Sequence, residues 1–132
     1  MSEVTVDYKG DMLFEAKAGS HTLTIDAPPG MKGRNRGPTP TELYATALAS
    51  CVNILVTKYC QDMKIPAEGL KVTVTYDKLD TPARLGNFRC EIHMPPAATG
   101  WEARRDGIHR AAERCPVHES IRTHTGMEIK IV

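Results

Sequence analysis

A chain of 132 residues fits one domain with a single small core, and 17 basic residues against 16 acidic ones leave a net charge of +1. So small a charge gives no electrostatic reason to expect nucleic acid or a membrane surface as partner. With one Trp, four Tyr and two Phe, base-stacking platforms are not expected either.

The opening "MSEVTVDYKG" has no basic n-region and no apolar h-region, so no signal peptide is expected. No apolar run approaches the roughly 20 residues of a membrane span, and the expected location is the cytoplasm. In that reducing compartment Cys51, Cys60, Cys90 and Cys115 are expected to be free, catalytic or metal-binding rather than a disulfide framework. No CxxC occurs, which excludes a zinc ribbon or a thioredoxin-type motif.

In chain order, "VTVDY", "MLFEAKA" and "HTLTIDA" alternate apolar and polar residues, with turn signals at Lys9-Gly10-Asp11 and Gly19-Ser20. They predict a three-stranded meander. The Gly- and Pro-rich "PPGMKGRNRGPTP", with four basic residues, is a loop long enough to be functional. Thr39-Pro40-Thr41-Glu42 then starts a helix: Thr39 caps, Pro40 suits the first position, and Glu42 completes a capping box. From there to about Met63 apolar residues recur at helical spacing until most of the circumference is apolar. Such a helix is buried in a core or an oligomer interface. Pro66 and Gly69 end it.

"LKVTVTYDKL" and "NFRCEIHM" alternate again and predict two paired strands across the loop "DTPARLG". Thr99 and Glu102 form a second capping-box signature, for a helix from about Gly100 to Arg114. Pro116 stops that helix. "PVHESIR" restarts as a short helix, and "GMEIKIV" is expected to close the chain as a strand. The order predicts an α+β fold, helices segregated from antiparallel sheets, as one domain over residues 1–132. No GxGxxG or P-loop occurs.

The four thiols sort differently. Cys90 falls on the same strand face as Phe88 and Ile92, which predicts core packing. Cys60 lies nine residues after Cys51 and so points to the opposite helix face, about 13 Å further along the axis and beyond disulfide reach. Cys115 sits where one helix ends and Pro116 begins the next. At such an N-cap, backbone N–H groups favour a thiolate, and His118 at CxxH spacing offers a charge or a proton relay. The alternative is that Cys115 ends an apolar face and His118 lies on the surface; local sequence leaves both open. A zinc site from Cys51, Cys115, His118 and His124 has acceptable ligand types but only one closely spaced pair. No metal is therefore expected, and no cofactor.

"GPTPTELYATALASC", followed later by "RCPVHESI", resembles the OsmC/Ohr family of thiol-dependent peroxidases. The resemblance spans nearly the whole chain, with its elements in family order. It implies an intertwined homodimer in which the central helices pack together and strands of both chains share sheets. It also implies that Cys51 is the peroxidatic cysteine and Cys115 the resolving one. The substrate would then be a small apolar peroxide, or another thiol-reactive ligand, with a dithiol as reductant. The family's activating Arg–Glu pair has its glutamate directly after the helix-starting proline, where this chain has Thr41, with Glu42 one residue later. The family arginine comes from the loop between the early strands, where this chain has "AKAGS". Lys17, Arg34 and Arg36 are the candidate replacements, with Glu42 as a supporting acid beside its capping role. Thiol peroxidase chemistry is one expectation. A thiol protein used for disulfide exchange or small-molecule binding is another, and a structural dimer with inert cysteines is a third.

Overall fold

The structure, a computed structural model, describes residues 1–123 and 126–131. It divides into two compact units, Met1–Tyr44 and Ala45–Val132.

The first unit holds the meander. Strands β1 (Val4–Tyr8), β2 (Leu13–Ala18) and β3 (His21–Asp26) pair antiparallel in that order, with Tyr8 opposite Phe14 and Leu13 opposite Asp26. Alternation specifies the register, because a one-residue slip would turn every apolar side chain over. Val4, Val6 and Tyr8 on β1 remain 55–63% exposed, so that apolar row is uncovered within one chain. The predicted loop contains one 3₁₀ turn, Pro29–Met31. Its path brings Gly33 so near β3 that a Cβ there would lie 1.5 Å from the Ala27 carbonyl oxygen.

Helix α1 (Pro40–Asp62) starts at the predicted capping box. The Thr39 N–H donates to Glu42 Oε2 at 2.9 Å, and the Glu42 N–H reaches Thr39 Oγ1 at 3.5 Å. Of its residues, Ala45, Leu48, Val52, Val56 and Cys60 are buried, a single stripe at spacings of three and four. The opposite face is open, with Ile54 66% exposed. Against the sequence expectation, α1 is by length and composition long and apolar enough to span a bilayer. Its buried stripe instead packs into the core of the second unit.

In that unit β4 (Lys71–Leu79) and β5 (Arg84–His93) form an antiparallel hairpin with Val72 opposite Ile92 and Val74 opposite Cys90. The register shifts between Thr75 and Asp77, as a bulge at Tyr76 requires. A 3₁₀ turn (Trp101–Arg104) leads into α2 (Arg105–Glu113), and α3 (Pro116–Arg122) follows. The second capping box does not form. Gly100 takes a left-handed conformation (φ 77°), and the backbone itself satisfies the first donors: Trp101 N–H to Ala98 O, Ala103 N–H to Gly100 O. The closing strand is also absent: residues 126–131 carry no ladder among the described residues, and Val132 lies outside them. Met127, Ile129 and Ile131 are 85–100% exposed. Their alternation is real, but a strand exists only where another strand accepts its hydrogen bonds.

Candidate functional site

Cys51 flanks the buried stripe of α1 beside Val52, half-buried and packed against the core. Cys115 occupies the break between α2 and α3, which Pro116 enforces: with no N–H to give, proline suits the first helical position. Cys115 is fully buried in the same core cluster. Its Sγ accepts the His118 N–H at 3.3 Å, and Cys51 lies close enough to perturb the thiol. All four cysteines are free thiols.

The N-cap pull on Cys115 expected from the sequence is present but outweighed. Burial pushes the thiol up, and its neighbour Cys51 pushes it further. The His118 and Val117 N–H groups pull the other way and do not prevail. Cys115 is therefore a thiol with a raised pKa beside Cys51. His118 stands beside it, half-buried, with Nδ1 buried and without a hydrogen-bond partner among the described residues.

The other two thiols play no part in this pair. Cys60 is fully buried, and burial raises its pKa, which suits an inert packing thiol. Cys90 does not pack in the core as predicted. It is exposed, because alternation assigns a residue to a face without supplying an element to cover it. Among the described residues no three His, Cys, Asp or Glu side chains could hold a metal ion together. His124, the fourth zinc candidate, lies outside the described residues.

Arg34 and Arg36 are brought together in the first unit by an acid that the sequence reading missed. Asp26, at the end of β3, is fully buried. Its carboxylate accepts the Ala27, Arg34 and Arg36 backbone N–H groups at 2.8, 3.1 and 3.0 Å. Arg36 adds a two-pronged pair, Nε to Oδ2 at 2.7 Å and Nη2 to Oδ1 at 3.1 Å. Arg34 pairs with Asp11 at 3.1 Å. Both guanidinium charges thus have carboxylate partners already. Lys17 is exposed on β2, and Glu42 serves the capping box. The only signal for Asp26 in the sequence was an acid closing an alternating strand just before a loop with two arginines.

The Arg36 guanidinium, outweighing burial, holds the Asp26 carboxyl well below the usual carboxylate range. A depressed folded-state pKa stabilises the fold fully above the unfolded value near 4, and that stability is lost as pH falls below it. Asp26→Asn is accordingly expected to lower Tm by several degrees at pH 5–7. The gap from the parent protein should shrink as pH drops from 4 toward 2. Thermal melts across that range check this, and a gap independent of pH would refute the ion-pair account.

Comparison with known proteins follows the same motifs. The family model for OsmC-like protein matches residues 33–130, most of the chain. The chain belongs to the OsmC family. Solved OsmC relatives share its fold. A Psychrobacter arcticus protein named for osmotic stress induction and detoxification response is 26% identical, covering 91% of this chain and 88% of its own, with a TM-score of 0.74. The OsmC-like protein of Mycoplasma pneumoniae is 22% identical, covering 94% and 89%, also at 0.74. An organic hydroperoxide resistance protein OsmC from Legionella pneumophila is 20% identical, covering 92% and 89%, at 0.69. No curated protein matches the chain. The α+β architecture expected from the OsmC resemblance is therefore the one observed.

Proposed function

We propose that this OsmC-family chain reduces organic hydroperoxides through Cys51 and Cys115. The observation that carries the reading is the proximity of the two thiols: Cys51 packs against the core cluster that holds Cys115 and is close enough to push its pKa up. The Cys51 thiolate attacks the outer peroxide oxygen. A sulfur–oxygen bond forms, the O–O bond breaks, and the alcohol leaves with a proton. The sulfenic acid on Cys51 is then attacked by the Cys115 sulfur, forming the disulfide and releasing water. A small dithiol restores both thiols by exchange. The cytoplasm suits this cycle, since it keeps the resting thiols reduced. The names of the Legionella pneumophila relative and of an Elizabethkingia anophelis relative, both organic hydroperoxide resistance proteins, agree with this substrate class.

Fully reduced protein given one equivalent of cumene hydroperoxide, without added thiol, should lose two hydrogens, mapped by peptide mass to Cys51–Cys115. Four intact thiols, or slow sulfinic acid alone, would reject the peroxidase reading. The second reading, a thiol protein for disulfide exchange or small-molecule binding, would then lead. It is favoured by one observation: Arg34 and Arg36 already have Asp11 and Asp26 as partners.

The working form in this proposal is a homodimer of single-domain chains. The open rows on β1, on α1 and at residues 127–131 are apolar surface for its interface to cover. Sedimentation equilibrium at micromolar concentration should return twice the chain mass; a stable monomer would reject the dimer.

A further inference from the structure

Cys90 is the one cysteine that faces solvent, and it does so at the junction of two adjoining cavities of about 240 and 210 Å³. Both are lined by Cys90, Ile92 and His109. The first also has Phe88, Glu113 and the His118 ring, whose buried Nδ1 meets no partner among the described residues. The second has Trp101 and Arg105, whose guanidinium carbon lies 4.8 Å from the centre of the indole ring. A guanidinium stacked on a ring keeps its N–H edge free for a carboxylate. The groove thus offers a cation at one end, an acid at the other and a thiol between them. His109 pairs with Glu113 at 3.6 Å and leaves room on that carboxylate for a second donor.

We propose that this groove is a thiolation site, where Cys90 takes up a zwitterionic low-molecular-weight thiol of the amino-acid or short-peptide class as a mixed disulfide. The ligand's carboxylate meets Arg105 and its ammonium group meets Glu113. The oxidant is the disulfide form of that same small thiol. Cys90 loses its proton to solvent and its sulfur attacks one sulfur of the reagent. A Cys90 sulfur–sulfur bond forms, the reagent's own S–S bond breaks, and one small thiolate leaves and takes up a proton. Cys90 is oxidised and the departing sulfur reduced. The cavity walls push the Cys90 thiol up, which slows the attack but makes it a poor leaving group once bound. The adduct is therefore slow to form and persistent. It does not depend on the Cys51–Cys115 reading.

The test uses reduced full-length protein at pH 8 with cystine, uncharged hydroxyethyl disulfide, dicationic cystamine or dianionic dithiodiglycolate, each read by peptide mass at Cys90. With each rate divided by that reagent's rate with a small free thiol, cystine is expected to label Cys90 about fivefold faster than any of the other three. That preference should disappear in Arg105→Gln and in Glu113→Gln while the hydroxyethyl disulfide rate is unchanged. Equal normalised rates with all four reagents would show an ordinary exposed thiol and overturn the proposal. So would a cystine preference that survives either substitution, or adducts confined to Cys51 and Cys115.

Discussion

Replacing Cys51 by serine is expected to cut peroxide consumption by a factor on the order of 10³ or more, since the attacking sulfur is gone. Cys115→Ser should behave differently. One equivalent of alcohol still forms, the oxidation stops at sulfenic acid on Cys51, and excess peroxide drives it on to sulfinic acid. Dimedone labelling at Cys51 would detect the trapped intermediate. In the parent protein the two steps should also separate by pH. Burial and the neighbouring Cys51 push the Cys115 pKa up, and the thiol must lose its proton to close the disulfide. Closure should therefore quicken as pH rises from 7 to 9. A closure rate flat across that range, or alcohol still produced by Cys51→Ser, would remove Cys115 or Cys51 from its assigned role.

The second large effect lies in how α2 crosses α1. Gly107 is buried, and a Cβ there would lie 1.9 Å from Tyr59 Oη and 2.5 Å from Cζ. Gly107→Val is expected to cost roughly 2–3 kcal/mol through overpacking, a fall in Tm of about 7–11 °C for a chain of this length. Gly107→Ala should cost less, because alanine regains about 1 kcal/mol of helix propensity. In a Tyr59→Ala background the valine penalty should at least halve, since residues in contact couple. An unchanged penalty there would mean that the glycine serves something other than this crossing. Because α2 ends beside Cys115, a displaced α2 also moves the thiol away from Cys51. Gly107→Val should therefore slow disulfide closure as well as weaken the fold.

Local signals were read correctly wherever the structure depends on local causes. Thr39, Pro40 and Glu42 lie within one turn, and α1 begins where they say. Alternation located the five strands among the described residues, because period two is a property of the segment itself, but it also marked 126–131, which pairs with no strand there. Expectations failed where something beyond the pattern decided the outcome. Thr99 and Glu102 have the capping spelling, but the left-handed Gly100 between them routes the first donors to backbone carbonyls. Cys90 has the core periodicity, but it opens into surface cavities instead of packing in the core. The N-cap effect on Cys115 was legible, whereas the burial that outweighs it belongs to the whole core. The contact of Cys51 with Cys115 was legible only through family resemblance, since spacing along the chain says nothing of which thiols meet. Asp26 was missed because a single acid at a strand end looks the same whether solvated or buried beneath two arginines.

Asp26 has one more consequence, for how the glycine-rich loop can change over time. A carboxylate outside the loop fixes its course by gripping backbone N–H groups at positions 27, 34 and 36 and a single side chain, Arg36. Backbone amides are the same whatever residue carries them, so the exposed stretch from Gly30 to Lys32 is free to drift in sequence while the shape persists. Inheritance of the loop's form is thereby vested in a few positions, Asp26, Arg36 and the close-packed Gly33, and its tip is left open to new chemistry.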